Sequence, residues 1–78
     1  MSNEPRTIRL DPADNVSVAL DSLAVGDIEH SAGVAAVSSI PAGHKIAVQS
    51  IAKGDAVRKF NQIIGFASEA ITPGQHVH

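Results

Sequence analysis

The sequence contains no cysteine, tryptophan or tyrosine, and its phenylalanines are limited to Phe60 and Phe66. Without cysteine, neither disulfide bonds nor thiolate–metal bonds can hold the fold. Without Trp and Tyr, the chain lacks the flat aromatic platforms on which nucleic-acid bases or sugar rings usually stack. These absences exclude a disulfide-stapled protein and argue against a lectin-like role.

Positive charge and long apolar runs are also scarce. Six Lys and Arg residues stand against eight Asp and Glu residues, and the basic residues form no cluster. Nucleic acid is therefore not an expected partner. The first ten residues are polar, and no run approaches the ~18 apolar residues of a membrane helix. We expect no membrane association and a cytoplasmic location.

What the chain does contain is small aliphatic residues, mainly Ala, Val and Ile. Its 78 residues are enough for one small domain, which we place at residues 8–78 after an N-terminal tail at 1–7. A chain of this size buries only about 60–65% of its unfolded surface. We therefore expect a thin core that would benefit from a partner surface or an attached second domain.

One short pattern occurs four times: an aliphatic residue, two variable residues, glycine and a polar residue. The aliphatic residue can enter the core, while the glycine can adopt a positive φ that other residues resist. The spacings between the aliphatic positions are 17, 11 and 20 residues, so this is not a solenoid of fixed period. The pattern predicts one kind of turn used to start strands. It occurs as LAVGD (23–27), IPAGH (40–44), IAKGD (51–55) and ITPGQ (71–75).

The stretches between these turns are short and β-prone, which predicts a small all-β domain. Alternation in residues 16–20 would place Val16, Val18 and Leu20 on one face. No window sustains a helical apolar stripe, although a single helical turn around 21–24 or 50–53 would fit. The predicted strands are 7–10, 16–20, 34–37, 45–49, 56–60, 63–67 and 75–78.

Several motifs in this order resemble the SAF domain of the altronate and galactarate dehydratase family. They are G-H-K-I at 43–46, I-x-x-G-D-A-V-x-K at 51–59, I-G-x-A at 64–67 and G-x-H-V-H at 74–78. The resemblance covers most of the chain and implies a β-clip fold. In that family the module precedes a large dehydratase domain or forms a separate small subunit beside it. Phe60 and Asn61 replace a common Tyr-Gly pair, and Asn can still adopt the left-handed turn conformation.

The resemblance implies a part of a hydro-lyase that removes water from a sugar acid such as altronate or galactarate. The product would be a 2-keto-3-deoxy acid, and iron(II) would be held mainly by the large domain. This chain alone is expected to be inactive. Two alternatives stay open: the small subunit of a sulfolactate sulfo-lyase, which eliminates sulfite, and a non-catalytic SAF module that binds or positions a partner.

His44 and Lys45 directly follow a turn glycine, where polar side chains can reach outward from a rigid scaffold. Because G-H-K-I is among the shared motifs, we interpret both as candidate catalytic residues. Lys45 would lie opposite Ile46 in its strand, and it and Lys59 could bind a substrate carboxylate as point charges. The competing interpretation is that these are solvated turn and edge-strand residues.

His76 and His78 are two positions apart in a predicted strand, so their rings would project from one face. Two neutral imidazoles placed in this way can share a metal, with the third ligand supplied by another chain or domain. The alternative is a pair of exposed terminal histidines. His30 has no evident companion in the sequence, and we expect it to be exposed.

Overall fold

In a computed structural model, residues 4–77 are described and form eight short strands without a helix. Each of the seven predicted strands overlaps a strand of the structure, most of them shortened and the one predicted at 63–67 shifted by one residue, which confirms the all-β class for this part of the chain. The helical turn considered at 21–24 or 50–53 is wrong. None of residues 4–77 belongs to a helix able to cross a membrane. The strands are β1 (Thr7–Ile8), β2 (Val16–Ala19), β3 (Ile28–Glu29), β4 (Val34–Ala35), β5 (Lys45–Ala47), β6 (Ala56–Lys59), β7 (Gln62–Phe66) and β8 (His76–Val77).

Four strands form an antiparallel sheet in the order β1-β2-β5-β8, while β3–β4 and β6–β7 form separate two-stranded sheets. The simple alternation predicted for β2 is wrong. Ser17 and Ala19 are fully buried, whereas Leu20 is 46% exposed. The Ser17 hydroxyl donates to the carbonyl of Ile8 at 3.0 Å, which satisfies its polar group inside the fold. Both faces of this central strand are covered, so its buried residues do not alternate.

The four glycine turns have the predicted conformation. Gly26, Gly43, Gly54 and Gly74 have φ values of 92°, 85°, 88° and 90°. In each turn, the residue after glycine donates its N–H to the carbonyl two residues before the glycine, at 2.9–3.2 Å. Positive φ at the third position alone is the geometry of a type II turn. The glycines are therefore required by the backbone at these positions.

Each turn also holds one buried alanine from a neighbouring segment. The turn glycine donates to the alanine carbonyl, and the alanine N–H donates to the carbonyl of the residue after glycine. For Gly26 and Ala36 the first distance is 2.8 Å, and the return bond from Ala36 to Asp27 is also 2.8 Å. A small side chain leaves room for this close backbone approach. The alanines held by the other three turns are Ala19, Ala47 and Ala67.

The turns belong to two consecutive copies of one structural unit, residues 19–46 and 47–77, which we call the first copy and the second copy. The first turn of the unit recurs 28 residues later, from 23 to 51, and the second turn 31 residues later, from 40 to 71. Within each copy, the aliphatic residues of the two turns pair across an isolated antiparallel bridge. The bridged pairs are Leu23–Ile40 and Ile51–Ile71.

Each copy has its own apolar core, and the two cores use matching positions. Val16 and Val57 extend the second core. Neither core contains an aromatic residue, since Phe60 is half-buried and Phe66 is 67% exposed. The prediction of a thin aliphatic core is confirmed. The first core comprises Ala19, Leu23, Ala36, Ile40 and Ile46; its counterparts are Ala47, Ile51, Ala67, Ile71 and Val77.

The β6–β7 hairpin ends in a two-residue turn in which Phe60 and Asn61 have φ values of 54° and 61°. The left-handed conformation predicted for Asn61 is confirmed, and Phe60 shares it. Both backbone N–H groups donate to the buried carboxylate of Asp14, at 2.8 and 2.7 Å. Burial raises the pKa of Asp14, but backbone N–H donors, led by those of Asn61 and Phe60, outweigh it, so the pKa lies below its ordinary value. Asp14 thus stabilises a turn that a bulky Phe60 would otherwise strain.

Candidate functional site

Two histidines that are far apart in the sequence meet at the surface of the four-stranded sheet. The Nδ1 atom of His44 lies 2.8 Å from the Nε2 atom of His76. The ring centroids are 5.0 Å apart and the ring planes are inclined by 38°. His44 is exposed and His76 is half-buried. The two rings form a direct nitrogen-to-nitrogen contact, which we call the histidine pair.

The position of each ring follows from the turns and the strand register. His44 closes the turn of Gly43, and its N–H donates to the carbonyl of Pro41 at 3.0 Å. In the pairing of β5 with β8, Ile46 lies opposite His76. Directly opposite residues share a face, and alternate residues of one strand do the same. His44, Ile46 and His76 therefore lie on one face of the sheet.

Lys45 lies on the other face. Its partner across β8 is Val77, and its partner across β2 is Val18. Val77 is buried, and Lys45 is half-buried. The structure therefore brings His76 together with His44 and directs Lys45 away from them.

The histidine pair holds one proton between its two nitrogens. A neutral imidazole has one N–H donor and one acceptor nitrogen, so one ring donates and the other accepts. If both facing nitrogens carried protons, two N–H groups would oppose each other at 2.8 Å. Imidazole gains and releases a proton near neutral pH, so the pair can exchange a proton with a neighbouring group while the proton between the two rings stays in place.

The pair also fits part of a metal site. Two nitrogens bound to one metal at ~2.0–2.1 Å lie about 3 Å apart, close to the separation seen here. Within residues 4–77, no three His, Asp or Glu side chains form a group able to hold a metal. His78, which the sequence suggested as a ligand beside His76, lies outside the described residues. Two ligands from this region would need others to complete a site.

A groove of about 280 Å³ opens next to His76. Glu69, Gln75 and His76 contribute polar groups to its lining, while Phe66 and Ile71 contribute apolar ones. A groove with this mixture can accept a ligand that carries both polar and apolar groups.

The remaining candidate residues lie elsewhere. Lys59 ends β6 in a different sheet, and its Nζ atom lies 5.4 Å from the ring centroid of Phe60. This is within the range of a cation–π contact. His30 is exposed, as expected, but it is not without a companion, because its Nε2 atom lies 3.2 Å from a carboxylate oxygen of Glu4. Glu4 and His30 are too far apart in the sequence for that contact to be predicted from spacing.

Fold and site together define a small all-β domain with two contacting histidines, one of which, His76, lines an open groove. The chain belongs to the altronate/galactarate dehydratase SAF domain family, whose sequence pattern matches residues 5–78. This confirms the family that the four motifs indicated. The match also includes Asp14, whose carboxylate holds the turn of the β6–β7 hairpin.

Three curated proteins are similar to this chain. The altronate dehydratase of Bacillus subtilis (strain 168) is 40% identical over 73 residues, and that of Escherichia coli (strain K12) is 39% identical over 74 residues. Each alignment covers 91% of this chain and 15% of the relative. The (2R)-sulfolactate sulfo-lyase subunit alpha of Chromohalobacter salexigens is 40% identical over 40 residues, covering 51% of this chain and 43% of that subunit. This chain thus spans about one seventh of the length of the two dehydratases.

Proposed function

We propose that this chain is the SAF domain, or the small subunit, of a sugar-acid dehydratase of the altronate or galactarate type. Its family and the two dehydratase relatives support this assignment. The observation that carries a role in the reaction is the 2.8 Å contact between His44 and His76. Two of the family motifs, G-H-K-I and G-x-H-V-H, supply one ring each and converge on one point of the surface.

The reaction removes a proton from the carbon next to the carboxylate and a hydroxyl from the adjacent carbon. Water leaves, and the resulting enol becomes a 2-keto-3-deoxy acid. Imidazole can exchange protons near neutral pH, so the histidine pair could donate the proton that the departing hydroxyl needs. The large catalytic part would supply the other walls of the site and the base. The 78-residue chain alone is therefore expected to be inactive.

We expect the complete enzyme to use iron(II), held mainly by the large part. Imidazole nitrogen suits iron, and the separation within the histidine pair fits two neighbouring ligand positions. When bound, the metal would act as a Lewis acid on a substrate oxygen. His78 is a further candidate ligand. In either role, the contact with His44 would fix the orientation of His76, which lines the groove.

Lys45 and Lys59 are proposed carboxylate-binding residues with different geometries. Lys59 lies at the end of the β6–β7 hairpin, where its ammonium can face a substrate held against the large part. Lys45 lies on the sheet face away from the histidine pair, so it would bind a different part of the substrate or a carboxylate of the partner. We also propose that the complete enzyme acts in the cytoplasm.

The test is to purify the complete protein from source cells through an N-terminal handle, anaerobically and with iron(II). The large part should be recovered as the same chain or as a bound subunit. Altronate and galactarate would then be assayed for formation of a 2-keto-3-deoxy acid. Turnover of either acid supports the proposal. Recovery without a large lyase part would overturn it in favour of a non-catalytic module.

A second candidate is the small subunit of a sulfolactate sulfo-lyase, because the match to such a subunit covers 43% of that protein's length. Sulfolactate belongs in the same assay, with release of sulfite as the readout. Sulfite release without turnover of the sugar acids would favour this candidate.

A further inference from the structure

The β6–β7 hairpin has an outward face that is mostly apolar. Ala56 lies opposite Phe66, and Arg58 lies opposite Ile63. Because Ala56 and Arg58 are alternate residues of one strand, these two pairs share a face. Buried Val57 lies between them on the strand and faces the core instead. A β-bulge between the two pairs keeps Ile63 and Phe66 on the same side although they are three residues apart.

The large side chains of this face are exposed. Phe66 is 67% exposed and Ile63 is 50% exposed. The bulged residue next to them, Ile64, is 44% exposed. We call these three exposed side chains of one strand the apolar patch, and exposed apolar patches commonly mark interaction sites.

The equivalent strands of the first copy lack this surface. The pair that corresponds to Ala56 and Phe66 is Ile28 and Ala35. β3 and β4 have two residues each, whereas β6 and β7 have four and five. The second copy therefore has a longer hairpin, with an exposed aromatic residue that is not part of its core.

The apolar face is continuous with the candidate site. Phe66 and His76 line the same groove. A partner that reached His76 through this groove would therefore also cover Phe66. One partner can therefore cover both the apolar patch and the candidate site.

We propose that the outward face of the β6–β7 hairpin, centred on Phe66, docks on the large catalytic part of the dehydratase, an inference that rests on the function proposed above. The matching surface would be apolar at its centre and carry a carboxylate that faces Arg58. The docked position would complete the site at His76.

Size favours this occupant over a second copy of the chain. Independent dimers usually bury about 1,200–2,000 Å² in total, with roughly 20–30 residues from each partner, which is more than this hairpin face offers. A tethered neighbour needs a smaller interface, because a short tether raises its effective concentration to roughly the millimolar range. In both dehydratase relatives the matching region is 15% of the entire chain, so the rest of that chain is a tethered neighbour there.

The decisive experiment places p-benzoylphenylalanine at position 66 of the complete protein and identifies the photo-cross-linked peptides by mass. Position 25 is the matched control, because Val25 is also 67% exposed but lies on a turn of the first copy. The large part should be cross-linked from position 66 and not from position 25. Cross-links only between copies of the domain, none from position 66, or equal labelling from both positions would overturn the proposal.

A second measurement uses substitutions at the same two exposed positions. Phe66→Ser should increase hydrogen exchange of residues 56–66 in the complete protein by roughly tenfold, the effect expected for loss of an aromatic anchor. Val25→Ser should leave that exchange unchanged. Unaltered exchange in the Phe66→Ser protein would contradict docking through this face. Neither experiment requires turnover, so docking without activity on any of the acids would refute the proposed function alone.

Discussion

The two copies of the unit share a framework and differ in what they attach to it. In both, two glycine turns pair through aliphatic residues, and each turn holds a buried alanine. Their five matching core positions contain only Ala, Val, Leu and Ile. The outer strands differ, since β3–β4 is minimal and β6–β7 is an extended hairpin. The repeated residues stabilise the fold, and the candidate functional residues lie where the repeat breaks.

The histidine pair illustrates this division. The counterpart of His44 in the second copy is Gln75, and the residue of the first copy that corresponds to His76 is Lys45. Neither histidine is therefore matched by a histidine in the other copy. The pair forms because antiparallel pairing of β5 with β8 brings the two copies together. Both copies are needed to build the site.

In each copy a buried carboxylate accepts hydrogen bonds from the turn between the two outer strands, but the carboxylates come from different places in the chain. In the first copy, buried Glu29 accepts hydrogen bonds from the hydroxyl of Ser31 at 2.7 Å and from the N–H of Ala32 at 3.1 Å. In the second copy, the hairpin turn is held by Asp14, which precedes both copies. The long hairpin thus depends on a residue outside its own unit.

Among matching positions of the two copies, replacing the glycine of the second turn should give the largest difference in the free energy of unfolding. A Cβ on Gly74 would overlap the carbonyl oxygen of Ala35, whereas a Cβ on Gly43 has open space around it. Gly43→Ala should cost only the strain of a positive φ, about 1–2 kcal/mol. Gly74→Ala should cost on the order of 4 kcal/mol or more, because the backbone must move as well. Urea unfolding of the two variants measures both values.

Equal losses of stability in Gly43→Ala and Gly74→Ala would show that the turn of Gly74 does not pack closely on β4. The two turns would then be equivalent.

The loss of stability should be smaller when the Asp14 carboxylate, which holds the hairpin turn, is removed. Asp14→Ala leaves the N–H groups of Phe60 and Asn61 without their acceptor, which should lower the free energy of unfolding by about 3 kcal/mol. Asp14→Asn keeps one acceptor oxygen and should lose less. Urea unfolding gives the stability, and hydrogen exchange at Asn61 shows whether the loss is local. If hydrogen exchange increased at β3–β4 and not at the hairpin, Asp14 would not be the residue that stabilises the hairpin turn.

The smallest loss of stability should come from an exposed ion pair between Asp21 of the first copy and Arg6, which precedes both copies. The side chain of Arg6 donates hydrogen bonds to Asp21 and lowers the pKa of Asp21 from 3.8 to about 2. The corresponding residue of the second copy is Gln49. Because the folded pKa is below the unfolded one, the pair stabilises the fold above about pH 4 and is lost as the pH falls toward 2.

The melting temperatures of the wild type and Asp21→Asn measure this contribution. Their difference should be largest at neutral pH and disappear near pH 2. A difference that grew on acidification would contradict the assigned ion pair.

Much of the fold could be predicted because its signals are local. Positive-φ glycines and short β-prone runs identified all four turns and seven of the eight strands. The strand β3 gave no signal, because it has only two residues and one is a buried glutamate. The burial of Ser17 depends on strands that cover both faces of β2, and alternation within one strand cannot show that.

The candidate site was predictable only as separate residues. Motifs identified His44 and His76, but sequence spacing paired His76 with His78. The contact with His44 depends on which strands become neighbours. The role of Asp14 was hidden for the same reason, since its acceptors serve a turn 46 and 47 residues away. Long-range pairing was the missing information in each case.

The role of the histidine pair in the reaction is tested by the activity of the complete enzyme carrying His44→Gln or His76→Gln. His30→Gln is the matched control, because His30 is an exposed histidine with a partner of its own. Each substitution in the pair should reduce kcat by about 100-fold or more, the size expected for loss of an acid–base group, without changing the melting temperature. The control should retain wild-type activity. Wild-type kcat in both pair variants would show that the histidine pair is not part of the active site.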